Sequence, residues 1–132
     1  MTKVVVDSSA VMAVLRQEPG HERVAELMRS SSPRLMSAPT AVELGMVVGA
    51  RTRDFGLWQR LLREAAIDVV PFDERLAGRA VDAFRRFGKG RHPAGLNFGD
   101  CCTYALAEER GLPILCVGDD FRHTDLPVVP EV

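Results

Sequence analysis

No run of about 18 apolar residues, the length that would suggest a membrane-spanning helix, occurs in this sequence. A secretory apolar stretch is missing too, because Val4, Val5 and Val6 are followed at once by Asp7. Both absences lead to the expectation of a cytoplasmic protein without membrane contact. Cysteine is scarce: three thiols, two of them adjacent at Cys101 and Cys102, offer neither a disulfide framework nor the spacing of zinc ligands. They read as small buried residues in a reducing compartment. Net charge is nearly absent at −1, which leaves no whole-molecule footprint for nucleic acid. Linkers, repeats and low-complexity tracts are also missing, and 46% hydrophobic with 27% charged residues is the balance of a globular chain. One domain over residues 1–132 is expected.

What the chain does contain is an alternation of short β-branched runs and longer amphipathic segments. Lys3 to Val6 predicts a strand, Ala10 to Arg16 a helix, and Val24, Leu27 and Met28 the face of a second helix that ends in the Ser30 to Pro33 run. Arg34 to Ser37 suggests a short strand. Pro39 to about Arg53 predicts a third helix with Val42, Val47 and Val48 inward, and Phe55 to Ala66 a fourth through Leu57, Trp58, Leu61 and Leu62. Ile67 to Pro71 reads as a strand, and Asp73 as the cap of a helix carrying Leu76, Ala80, Phe84 and Phe87 on one face. A polar glycine-rich loop follows from Gly88 to Gly95, then a helix from Asn97 to Arg110, a strand from Ile114 to Val117 and an edge strand at Val128 and Val129. Strands alternating with helices predict an α/β fold around a mainly parallel central sheet.

Acids stand beside these apolar segments, where an unpaired charge is costly. Asp7 follows the first strand, Glu43 lies three residues after Thr40, Asp100 three after Asn97, and Asp119 and Asp120 follow a late strand. Each admits a capping or turn role: an N-cap for Asp7, a capping box for Thr40 and Glu43, a helix N-terminal carboxylate for Asp100 and a turn for the last pair. In a parallel α/β sheet, however, strand carboxyl ends and the following helix N-termini share one edge, so the acids can converge there. Their repulsion would raise carboxylate pKa values unless a divalent cation compensates. An all-oxygen donor set suits Mg²⁺ or Mn²⁺ and disfavours zinc. Arg75, Arg79, Arg85, Arg86, Lys89 and Arg91, with His92, make one stretch locally basic. It suits either a solvated face or a phosphate-contacting surface.

Together the segments VVVDSSA (Val4 to Ala10), APTAVEL (Ala38 to Leu44), LNFGDCCTYALA (Leu96 to Ala107) and ILCVGDDF (Ile114 to Phe121) resemble PIN-domain ribonucleases, and more narrowly the VapC-type toxins of prokaryotic toxin–antitoxin modules. GKGRH before Asp100 and FRHTD near the end extend the resemblance over essentially the whole chain. It implies a PIN-like three-layer fold and a Mg²⁺- or Mn²⁺-dependent endoribonuclease. Asp7 and Asp100 would be the closest metal ligands, Glu43 would orient water or complete the site, and one of Asp119 or Asp120 would be the fourth acid. Many relatives place that acid slightly earlier, where this chain has Gly118; Asp119 is preferred, with Asp120 and Ser9 supporting the site. Lys89, Arg91 and His92 lie only a few residues before the Asp100 helix, and that proximity, apart from the resemblance, motivates the expectation that they touch the RNA backbone. The resemblance further implies a homodimer, a cognate VapB-type antitoxin whose C-terminal segment occupies the active-site groove, and operator DNA met only through the antitoxin complex.

Two other classes use the same features. A phosphoacceptor regulatory domain also gathers carboxylates around Mg²⁺ at strand ends, and a non-catalytic partner-binding module could carry acidic caps. The resemblance argues against the first, and the absence of any metal effect on stability would mark the second.

Overall fold

The computed structural model describes residues 2–131. Five strands form one sheet: β1 (Thr2–Val6), β2 (Ser31–Ser37), β3 (Ile67–Val70), β4 (Ile114–Leu115) and β5 (Val128–Val129), in the order β3-β2-β1-β4-β5 with every neighbouring pair parallel. Six helices connect them: α1 (Ser8–Leu15), α2 (His21–Arg29), α3 (Ala38–Thr52), α4 (Leu57–Glu64), α5 (Glu74–Phe87) and α6 (Phe98–Arg110). The alternation seen in the sequence thus gives the expected α/β architecture.

Side chains on successive strand residues point to opposite faces, and this period divides the core in two. Val5, Leu35 and Ile114 pack against α5 and α6 with Leu76, Tyr104 and Leu106. Val4, Val6, Met36 and Leu115 pack on the other face against α1 to α4 with Val11, Met28, Leu44 and Leu62. The result is helix, sheet, helix in three layers. Each fully buried aliphatic side chain contributes about 1.5–3 kcal/mol, so the central strand, whose Val4, Val5 and Val6 are all buried, ties both layers together.

Three details differ from the sequence expectation. β2 begins at Ser31, inside the polar run expected to end the second helix; the Ser31 hydroxyl donates back to Leu27 O at 2.6 Å, closing α2 within one residue of the strand. On α3 the inward face is Ala41, Leu44, Gly45, Val48 and Gly49, while Val42 is 59% exposed and Val47 also faces outward. The small residues admit other side chains: a Cβ on Gly45 would lie 3.0 Å from Trp58, so α4 packs its indole directly on the α3 backbone. On α5, Ala83 is buried where Phe84 was expected, and Phe84 turns outward.

From β1 the chain moves outward through β2 to β3, then returns to the other side of β1 for β4 and β5. The reversal lies between β1 and β4. In open α/β sheets the carboxyl ends of the strands at such a reversal form a crevice, because the connecting helices leave in opposite directions.

Candidate acidic site at the sheet reversal

Asp7 occupies the β1 side of that crevice. Its backbone N–H donates to Leu115 O at 2.9 Å, extending the β1–β4 pairing to the strand ends. Its side chain caps α1, with Oδ2 accepting Ser9 N–H at 3.1 Å, and Oδ1 accepts the Thr103 hydroxyl at 2.8 Å. At 5% exposure this carboxylate is buried, and the two donors offset a desolvation cost of several kcal/mol. Capping and a place in the crevice coincide here, because the N-cap position of the first helix is also the carboxyl end of the central strand.

For Glu43 they separate. The helix begins earlier than the Thr40–Glu43 capping box would require: Ser37 is the N-cap and accepts Thr40 N–H at 3.3 Å. Glu43 therefore lies in the second turn of α3, relieved of any capping duty. Its Oε1 accepts the Ser8 hydroxyl at 3.1 Å. The carboxylate rests against the start of α6, where a Cβ on buried Gly99 would come within 2.6 Å of Oε2. Only a residue without a side chain permits that approach.

Asp100 does form the capping box with Asn97: its backbone N–H donates to Asn97 Oδ1 at 2.9 Å, and its own Oδ2 accepts Asn97 N–H at 3.1 Å. It is half-buried. Burial pushes its pKa up to about 7, against the lowering effect of the Asn97 N–H, and the charges of Asp7, Asp120 and Glu43 push it further in the same direction. Three acids from other parts of the sequence thus bear on Asp100.

Gly118 (φ +102°) turns the chain after β4 in a left-handed conformation, and Asp120 opens a short 3-10 turn to His123. The Ser9 hydroxyl oxygen accepts Val117 N–H at 3.0 Å and so fastens this turn to the start of α1. Asp119 and Asp120 are both exposed. Asp120 is among the charges that raise Asp100, and also among those that raise Cys116, where burial leads.

Among the described residues, no three Asp, Glu, His or Cys groups are drawn together closely enough in this arrangement to enclose a metal ion. The donor chemistry nevertheless fits a hard divalent cation: carboxylate oxygens predominate, and a cation would relieve the negative field that raises Asp100. Thiols are nearer than the sequence suggested, since Cys101, Cys102 and Cys116 are buried around the acids. Burial pushes the first two up to about 11 and Cys116 up to about 12, which keeps all three protonated and poor as ligands at neutral pH.

The basic stretch is largely neutralised. Arg75 pairs with Glu109 at 2.5 Å, Arg79 with Glu108 at 3.1 Å and Arg85 with Asp82 at 2.7 Å. Arg86 reaches both Glu108 and Asp125. Lys89 and Arg91 are exposed and make no ion pair among the described residues. Arg91 lies over the Phe84 ring at 5.5 Å. His92 helps build the loop, its Nδ1 accepting Ala94 N–H at 3.0 Å and its ring meeting Phe87 edge-on.

Sequence reasoning missed Thr103 and Gly99 as site residues. Thr103 stands three residues after Asp100, a spacing that puts both on neighbouring parts of one helix face, and this was the available signal. Gly99 offered no signal, because the Glu43 carboxylate that needs its space lies 56 positions earlier in the chain.

A PIN domain family model matches residues 4–126. The chain is 42% identical over 131 residues to VapC ribonuclease Mb0640 of Mycobacterium bovis, covering 96% of this chain and 98% of that protein. It is 40% identical over 131 residues to a ribonuclease VapC of Mycolicibacterium smegmatis, covering 96% and 99%. The fold is similar to that of Mycobacterium tuberculosis VapC20, described as a sarcin–ricin loop cleaving toxin (TM-score 0.76, 17% identity, covering 96% and 98%). It is also similar to VapBC2 of Rickettsia felis bound to a DNA fragment from its promoter (TM-score 0.70, 11% identity, covering 96% and 97%). With near-full-length identity above 40% added to the fold and the acidic strand ends, the chain belongs to the PIN-domain family, in its VapC ribonuclease branch.

Proposed function

We propose that this protein is the endoribonuclease toxin of a VapBC-type toxin–antitoxin pair and hydrolyses RNA phosphodiester bonds with Mg²⁺ or Mn²⁺ at the β1–β4 crevice. The observation that carries the site is the meeting of the acids. Thr103, one turn after Asp100 on α6, donates to Asp7, and Glu43 rests against Gly99 beside Asp100, whose pKa the charges of Asp7, Asp120 and Glu43 raise in addition to burial. Asp7 and Asp100 would hold the ion, with Glu43 and one of Asp119 or Asp120 completing the acid set. The electrostatic reach of Asp120 favours it over Asp119 as the fourth acid. When bound, the cation supplies the positive charge that lowers the pKa of water and stabilises charge developing on the scissile phosphate.

The chain's own residues do the rest. Thr103 and Ser9 N–H hold Asp7 in one orientation. Ser8 engages one oxygen of Glu43, which leaves the other to accept a hydrogen bond from the attacking water. The Ser9 hydroxyl keeps the Asp120 turn beside α1. Lys89 and Arg91 would draw the RNA backbone toward an otherwise acidic crevice, with His92 shaping their loop. Asp7 is a poor phosphoacceptor, since it is buried and bonded on both oxygens. A cognate VapB-type antitoxin, a homodimer of the toxin, indirect contact with operator DNA and a cytoplasmic site of action complete the proposal. The relatives' names and the toxin–antitoxin complexes among similar folds support the antitoxin partnership, and among the described residues no helix is long and apolar enough to cross a membrane.

The test is incubation of the purified protein with total cellular RNA in Mg²⁺, Mn²⁺ or chelator, with new 5′ ends mapped. Discrete cleavage that disappears with chelator, and in folded Asp7→Asn and Asp100→Asn, is expected. Cleavage surviving both substitutions would refute the acidic-site mechanism.

A further inference from the structure

Three hydroxyls lie in the core behind Asp7. Ser37 Oγ is 2.7 Å from Thr40 Oγ1, Thr40 Oγ1 is 3.0 Å from Thr103 Oγ1, and Thr103 Oγ1 is 2.8 Å from Asp7 Oδ1. None of the three residues is more than 1% exposed. Each hydroxyl owns one proton, and this fixes the direction of the series. Thr103 donates to the carboxylate, so it can only accept from Thr40; Thr40, having given its proton, can only accept from Ser37. Ser37 in turn accepts the backbone N–H of Thr40 at 3.3 Å. Every proton in the row therefore points toward Asp7.

Stability alone gives little reason for such a row. A buried hydroxyl hydrogen bond is worth about 1 kcal/mol net, and an apolar pair of the same shape can do nearly as well. The placement of the hydroxyls suggests a different purpose. Thr40 stands one turn before Glu43 on α3, and Thr103 one turn after Asp100 on α6. The row thus joins β1, α3 and α6 at points one turn from the acids that α3 and α6 carry.

We propose that Ser37, Thr40 and Thr103 form a one-way hydroxyl chain that positions Asp7 relative to Glu43 and Asp100, with Thr103 and Thr40 as positioning residues for cation binding. The inference rests on the cation reading given above. Hydrogen-bonding partners behind a metal ligand typically change affinity or activity 10- to 100-fold when removed.

The experiment measures Mn²⁺ binding by calorimetry and by the electron-spin signal of the free ion, together with melting temperature, for the wild type, Thr103→Val, Thr103→Ser and the double variant Thr40→Val with Thr103→Val. Thr103→Val is expected to weaken Mn²⁺ binding by about tenfold and to lose stability, because the Thr40 proton is stranded. Thr103→Ser should restore binding. The double variant removes the stranded Thr40 hydroxyl but leaves the Ser37 proton without its acceptor and Asp7 Oδ1 without its donor. It should therefore recover at most part of the stability and none of the affinity; under a merely structural role affinity would follow stability. Wild-type affinity in a folded Thr103→Val or in the double variant overturns the proposal alone. A wild type that takes up no Mn²⁺ overturns the cation reading and this proposal with it.

Discussion

At the β1 side of the crevice, Asp7 is buried, bonded on both oxygens and backed by a row of hydroxyls. At the β4 side, Asp119 and Asp120 lie in an exposed turn that a single Ser9–Val117 hydrogen bond fastens to α1. The two sides differ in when their energetic cost is met. The inner acid is desolvated and oriented by folding itself, whereas the outer pair stays hydrated and free to adjust. For the cation proposed above, a fixed ligand would contribute preorganisation, while an adjustable one would limit repulsion among the acids before the ion binds. Asp100 lies between these extremes, half-buried and raised by both sides.

The contrast is broken most severely by Asp7→Asn. Asparagine caps helices as well as aspartate, so its one acceptor oxygen can keep the Ser9 N–H cap while the bond from Thr103 is lost. The fold should survive with a lower melting temperature while RNA cleavage falls roughly 10²–10³-fold, which single-turnover cleavage beside a circular dichroism melt checks. Gly99→Ala should cost about 10²-fold by pushing the Glu43 carboxylate away from α6, the loss expected of a misplacement near 1 Å. Combining it with Glu43→Asp, whose shorter side chain leaves the contested space, should add little further loss. Fully additive effects would show that Gly99 and Glu43 act independently.

A smaller effect separates the paired acids: Asp120→Asn should weaken Mn²⁺ binding about tenfold, with Asp119→Asn near the wild type. The reverse order would assign the fourth position to Asp119. Asp100 gives the next test. Its pKa is about 7 in the folded protein against an ordinary 3.8. Between those values the folded state holds a proton that the unfolded state has released, so this group's contribution to stability is full below pH 3.8 and is lost as pH rises through 7. In chelator, the melting temperature should fall across that window more steeply for the wild type than for Asp100→Asn. The smallest effect belongs to Lys89→Ala and Arg91→Ala. Each should reduce the salt slope of RNA binding by about one, and unchanged slopes would leave the loop as a solvated surface.

Much of the fold was legible because β-branched runs and helix caps are local signals. Val4 to Val6 announced β1, and Asp73 and Asn97 announced the starts of α5 and α6. Glu43 was harder: Thr40 and Glu43 imitate a capping box, and only Ser37, with its side chain on Thr40 N–H, shows that the helix starts three residues earlier. The inward face of α3 was misread for a related reason, since glycines at 45 and 49 carry no hydrophobic signal although aromatic rings pack on them. The basic stretch looked freer than it is because its partners Glu108, Glu109 and Asp125 lie on later elements. Contacts of that range depend on the assembled topology, which a periodicity reading does not supply.

The three thiols around the acids have a consequence for how the crevice can be watched in motion. With pKa values of about 11 to 12, on the order of one in 10⁴ or fewer is thiolate at neutral pH, the form that alkylating reagents and oxidants attack. The closed protein is therefore resistant to thiol oxidation. Cys101 and Cys102 directly follow Asp100, and Cys116 lies where β4 ends; each gains reactivity only when its own surroundings come apart. Their labelling rates report transient opening of the α6 start and of the β4 end separately, without any introduced probe, and a bound cation or antitoxin that closes either one would be read directly as a slower reaction.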